Sequence, residues 1–292
     1  MKRRTLLSAS VGTGLLGGCT LFPDEDHTGA DAPRAMPLAR PVRTAWVFSS
    51  GGPRGFVHVG VIKALSEIGL APDLLVGASI GAAVAVMVAC GKTARDIEQF
   101  ALELKPLSLG RIAIGGGARV SGSAISELVH SEVSGLLLER MRTPVVCVAA
   151  RMSDGRLMGF NAGDAGLAVQ ASCAIEGQFT PVRIRGEQYV DADLYQPLPV
   201  RLARQLGATR ILAVDASAHE ARAPTGTERY RAGDLRKRAL TEPDARAADV
   251  TLHPEFGYFV NLSREFRETA IAAGYRTTIA AAKQLAALHA VA

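Results

Sequence analysis

Cysteine is scarce: the chain has 4 in 292 residues, and only Cys90, Cys147 and Cys173 lie beyond the first nineteen positions. An odd number cannot all be paired, so a disulfide framework is excluded. No C-x-x-C or H-x-x-x-H spacing occurs, which removes the usual zinc frameworks. Cys90 closes an Ala/Val-rich run and Cys147 sits inside Val145 to Ala149, so both read as small core residues. One-signed charge is also in short supply. The formal net charge is +5, but three of the positive residues are Lys2, Arg3 and Arg4. Without them 30 basic residues face 28 acidic ones, so no nucleic-acid partner is indicated. The one dense basic run, Arg229 to Arg238, is broken by Asp234 and reads as a solvated, mobile loop. There is no internal repeat. Apolar residues at 48% are enough for a substantial core.

The first residues read as an address. Lys2-Arg3-Arg4 precedes a stretch from Thr5 to Gly17 that is too short to span a bilayer and has the form of a secretory signal. Arg3-Arg4 with Leu6-Leu7 loosely resembles a twin-arginine export signal. Leu16-Gly17-Gly18-Cys19 resembles the lipobox of bacterial lipoproteins, which implies cleavage before Cys19 and lipidation of its sulfur. The expected divisions are a signal peptide at 1–18, a lipid-anchored tether at 19–41 and one catalytic domain at 42–292. The tether contains Pro23, Pro33, Pro37 and Pro41 and has no periodicity. The expected location is the cell envelope, with the membrane as a partner through the anchor.

From Val42 the pattern changes. Strand candidates Thr44 to Phe48 and Leu74 to Val76 each run into a glycine turn and then a helix, Val57 to Ile68 and Ile80 to Cys90. That repetition predicts a three-layer α/β/α domain with a mostly parallel central sheet. Helices are expected at Ala94 to Leu104, Ser123 to Val133 and Pro199 to Leu206. A small helix should follow Asp164, and a Gly-rich loop should hold Gly115-Gly116-Gly117. Strands are expected at Val145 to Ala150, Leu157 to Phe160, Gln188 to Val190, Ile211 to Val214 and Asp249 to Leu252. Residues 216–247 read as a loop, and Arg264 to His289 as one long helix bent at Gly274.

Two glycine turns carry the chemistry. Gly77-Ala78-Ser79-Ile80-Gly81 is a G-x-S-x-G between strand and helix, where a serine stands proud of the sheet and the helix N-terminus favours negative charge. Ser50-Gly51-Gly52-Pro53-Arg54-Gly55 follows the first strand. Its glycine spacing fails the dinucleotide pattern and it lacks the Lys-Ser/Thr of a phosphate loop, which leaves an oxyanion role at Gly51 to Gly55.

These motifs, with Asp191-Ala192-Asp193 downstream, resemble the patatin-like phospholipases. That family carries G-G-G-x-R-G, G-x-S-x-G and an Asp-Gly-Gly or Asp-Gly-Ala. Here Ser50 stands for the leading glycine, and Ala192 and Asp193 stand for the glycines after the aspartate. Ala171-Ser172-Cys173-Ala174 is similar to the segment that precedes the family's aspartate. The resemblance implies a Ser79–Asp191 dyad cleaving carboxylic esters of lipids, with no metal or organic cofactor. Ala192 requires a negative φ, and Asp193 should raise the pKa of one of the two carboxylates. A Ser-His-Asp triad using His219 or His253 is a rival, as is a structural role for each, and His58 reads as structural. The departures also suit a catalytically weak or inactive lipid-binding envelope protein.

Overall fold

The computed structural model describes residues 25–105, 121–218 and 223–290. Cys19 and the signal, the Gly115 to Gly117 loop and His219 lie outside the described residues. In chain order the strands are β1 (Asp26–His27), β2 (Thr44–Phe48), β3 (Leu74–Ala78), β4 (Val145–Arg151), β5 (Leu157–Phe160), β6 (Val182–Ile184), β7 (Glu187–Asp191), β8 (Arg210–Val214) and β9 (Val250–Leu252). The helices are α1 (Phe56–Glu67), α2 (Ile80–Ala89), α3 (Ala94–Glu103), α4 (Ser123–Glu132), α5 (Ala165–Ser172), α6 (Val200–Gln205), α7 (Arg231–Ala247), α8 (Arg264–Ala280) and α9 (Ala282–His289).

The strands form one sheet in the order β1-β6-β7-β4-β3-β2-β8-β9, with β5 also on β4. From β4 through β3, β2 and β8 to β9 every neighbour is parallel, and β7 runs antiparallel to β4. Both faces are covered, as an α/β/α architecture requires. Trp46 and Phe48 of β2 join the core under α1, α2 and α8, while Ala45 and Val47 join a second core under α6. The period of two therefore sorts side chains between two cores, even though all five residues of β2 are buried.

Three expectations are corrected. The 216–247 loop contains α7, seventeen residues long, so the basic run is helical from Arg231 onward. Pro243 and the lack of an apolar stripe hid it. Its inward face is polar: Asp234, Lys237, Thr241 and Asp244 recur at three- and four-residue spacing and each bonds to the domain or to the helix itself. The C-terminal helix is two, divided at Ala281, and Gly274 lies inside the first of them. Gly274 instead lets α8 meet α1, because a Cβ there would stand 2.1 Å from Val57 O, and one on Gly60 would stand 1.8 Å from Ile271 O. Residues 25–41 are docked rather than strung out: β1 pairs with β6, Arg34 bridges to Ala162, and Ala32 is buried.

Candidate active site

Register brings the sequence motifs to one end of the sheet. Phe48 lies beside Gly77, Ala78 beside Val148, and Ala149 beside Asp191. The ends of β2 and β3, which lead to Ser50 and Ser79, therefore lie at the same level of the sheet as Asp191, the last residue of antiparallel β7. Ser79 and Asp191 sit two strand spacings apart, about 10 Å in backbone, which two side chains can bridge.

Ser79 occupies φ 55, ψ −125 between β3 and α2, one of three non-glycine residues with positive φ among those described. Such a conformation costs on the order of 1–3 kcal/mol and is kept only when its surroundings enforce it. They do. A Cβ on Gly77 would meet Gly81 O at 2.3 Å, and one on Gly81 would meet Phe48 O at 2.5 Å. Gly77 thus lets the turn close on itself, and Gly81 lets it pack backbone to backbone on the end of β2. Ser172, at the end of α5, accepts the Ser79 N–H at 2.8 Å and donates to Val148 O at 2.5 Å.

The Ser79 hydroxyl stands close enough to the Asp191 carboxylate to favour its ionised form, and it acts in the same sense on the Cys173 thiol. Asp191 is 3% exposed, and its Oδ1 accepts the Asp193 N–H at 2.9 Å. Burial pushes Asp191 up to a pKa of about 7, with the Asp193 charge adding to the rise; the Ser79 hydroxyl, the Asp193 N–H and Lys237 oppose it. Burial also weighs against an ionised Asp193, but Lys237 and Ser50 outweigh it and hold that carboxyl below its ordinary value. The two neighbouring carboxylates therefore differ as expected, with one raised. Ala192 is absent from the positive-φ residues, which meets the condition its methyl sets.

The oxyanion expectation narrows. Gly52 has φ 52, so the turn needs a glycine there. Pro53 has no N–H to give, and the Arg54 N–H is already donated to Gly51 O at 3.1 Å. Gly55 ends a 3-10 helix, Gly52–Gly55, whose ladder takes its N–H, so Gly51 and Gly52 remain as donors from this segment. Gly55 also packs on the elbow, since a Cβ there would stand 2.2 Å from the Ile80 side chain. The Arg54 guanidinium is buried and structural. It donates to Ala216 O, Gly257 O and Tyr258 O at 2.9, 3.1 and 3.3 Å and lies over the Phe256 ring.

Neither His58 nor His253, the described histidine of the rival triad, belongs to this set. His58 is fully buried in α1, bonded through Nε2 to Ser49 O at 2.9 Å, and burial lowers its pKa to about 4, so it braces the turn as a neutral ring. His253 packs at the end of β9 with Nε2 3.0 Å from Ser217 O. No group of three or more His, Cys, Asp or Glu among the described residues is arranged to hold a metal ion. Lys237 is the site residue that sequence reasoning missed. The polar spacing 234, 237, 241, 244 was its available signal.

A family model described as patatin-like phospholipase matches residues 46–204, more than half of the chain and all three motifs. The chain belongs to the patatin-like phospholipase family. An uncharacterised NTE-family protein of Mycobacterium bovis is 30% identical over 185 residues, covering 61% of this chain and 50% of that protein. Lysophospholipase NTE1 of Coccidioides immitis is 28% identical over 188 residues, covering 62% of this chain and 12% of that one. The chain thus spans half or less of the length of these curated relatives. In structure it is similar to VipD from Legionella pneumophila, with a TM-score of 0.50 at 14% identity, covering 89% of this chain and 70% of that one. That likeness concerns the patatin-like fold alone.

Proposed function

We propose that the protein is a serine acyl hydrolase that cleaves carboxylic esters of lipids through a Ser79–Asp191 dyad. The observation that carries the reading is the approach of the Ser79 hydroxyl to a buried carboxylate whose pKa stands near 7. An aspartate at its ordinary value is a poor base, whereas one near neutrality is both ionised enough and basic enough to take a serine proton. In the proposed reaction Ser79 attacks the acyl carbonyl while Asp191 accepts its proton. Amides of Gly51 and Gly52, with the N–H of Ile80 at the head of α2, face the developing oxyanion. The protonated Asp191 gives its proton to the departing alcohol. Asp191 then activates water to release the fatty acid from the acyl-enzyme.

Purified protein should hydrolyse short-chain nitrophenyl esters. Ser79→Ala and Asp191→Asn should each lower kcat/KM by about 10³-fold or more. Full activity in Asp191→Asn, with loss in His253→Gln, sinks the dyad in favour of a triad. Hydrolysis by the parent no faster than by Ser79→Ala leaves the lipid-binding reading without turnover, which the Ala192 and Asp193 departures suit.

The membrane anchor is part of the same proposal. No described helix is long and apolar enough to cross a membrane. With Cys19 lipidated, the seven steps to Asp26 would hold β1 within about 25 Å of the bilayer surface. Palmitate labelling of cells should mark the parent protein and not Cys19→Ser; equal labelling refutes the anchor.

A further inference from the structure

Of the three departures from the family pattern, two carry polar side chains, Ser50 for the leading glycine of the oxyanion turn and Asp193 for the second residue after Asp191. Though 143 positions apart, they meet, and the Ser50 hydroxyl donates to Asp193 Oδ1. A third partner comes from α7. Lys237 Nζ donates to the same Oδ1 and, at 3.1 Å, to Ser50 Oγ. Asp193 in turn donates its N–H to Asp191 Oδ1 at 2.9 Å. One continuous chain of bonds therefore joins α7, the oxyanion turn and the buried carboxylate.

The helix that supplies Lys237 is fixed on both sides of it. Asp234 accepts the Tyr258 hydroxyl at 2.5 Å. Asp244, fully buried, accepts Gln196 Nε2 at 2.6 Å, the Arg201 N–H at 2.9 Å and the Arg201 guanidinium at 3.0–3.1 Å. A helix with so little apolar surface against the domain is held mainly by these polar links, and Lys237 is the one aimed at the reaction centre.

We propose that Ser50, Asp193 and Lys237 form an ionic clamp that holds the Asp191 carboxylate towards Ser79 and ties it to the oxyanion turn, which makes Lys237 a positioning residue for the hydrolysis. The clamp rests on the dyad reading above. Its physical need is plain. A second anion two residues from the base favours a protonated, idle base, and a cation bonded to that anion offsets it. The groups that face Asp191 are the Ser79 hydroxyl at the head of α2, the Cys173 thiol after α5, Asp193 on its own turn and Lys237 on α7. Burial raises the pKa of Cys173, which keeps it a neutral thiol. The two charged neighbours thus act on Asp191 with opposite sign.

The test is the pH profile of kcat/KM on a nitrophenyl ester for the parent, Lys237→Met, Lys237→Arg and Asp193→Asn. Lys237→Met should move the acid limb upward by about 1 pH unit, so that activity falls roughly fivefold at neutral pH and returns in mild alkali. Lys237→Arg should restore the parent limb, and Asp193→Asn should move it downward. A helix that only props the turn predicts a uniform loss at every pH, and that result, or limbs that do not move, overturns the clamp. Should Lys237→Met fail to melt cooperatively, the limb of Asp193→Asn decides alone. Unmoved limbs with a dead Asp191→Asn refute the clamp only; an Asp191→Asn as active as the parent refutes the dyad itself.

Discussion

The two flanks of the site are built by different physics. On the Ser79 flank the parts are local and the constraint is shape: strand, turn and helix follow one another in the chain, and Gly77, Gly81 and Gly55 exist because another group occupies the place of their side chains. On the Asp191 flank the constraint is charge. A five-residue strand ends on a buried carboxylate, and its balancing groups arrive from Ser50 upstream and from Lys237, 44 positions beyond Asp193. In the proposed dyad, shape fixes where Ser79 stands, and charge fixes whether Asp191 can accept a proton.

The difference predicts how each flank breaks. The largest effect belongs to shape. Gly81→Ala would place a methyl 2.5 Å from Phe48 O, with backbone on both sides and nothing able to yield. It should cost about 3 kcal/mol or more in denaturant unfolding and abolish esterase activity. Gly257→Ala, which meets nothing within 4 Å, should be close to neutral. Equal stabilities would mean that the elbow is not held by packing.

A smaller effect of the opposite sign is expected on the charge flank. The folded pKa of Asp191, about 7, lies above its ordinary value of 3.8, so the native state holds a proton that the unfolded state has released. Stability is therefore fully present below the ordinary value and is lost as pH rises towards 7. Asp191→Asn removes this penalty and should stabilise the protein by on the order of 2 kcal/mol above neutrality, while leaving it inactive. Melting curves at acid and mildly alkaline pH test this. A variant destabilised equally at both would show that the carboxylate is structural. His58 works in the other direction: its pKa, lowered to about 4, makes the native state lose stability as pH falls below the ordinary 6.5.

The same division explains what could be read from the sequence. Each of the strands Thr44–Phe48, Leu74–Ala78 and Arg210–Val214 shows as a short apolar run, and the glycine turns that follow the first two mark the helices after them, because those signals are local. The alternation of Trp46 and Phe48 against Ala45 and Val47 between two cores is not visible, since all are apolar. The helix α7 was hidden because it docks through Asp234, Lys237 and Asp244 rather than through an apolar stripe, and because Pro243 suggested a break. Pairing of β1 with β6, which lie about 155 positions apart, has no local signal at all. The departures Ser50 and Asp193 were visible as letters; that they satisfy one another, with Lys237 between them, required the fold.

The central claim is that Ser79 is activated by a buried carboxylate. It is tested most directly by the rate at which a fluorophosphonate labels Ser79 as a function of pH. The parent protein should label at Ser79 with an acid limb near pH 7, matching the pKa of Asp191, and Asp191→Asn should lose both the limb and most of the rate. Rapid labelling of Asp191→Asn with the limb unchanged would contradict the account.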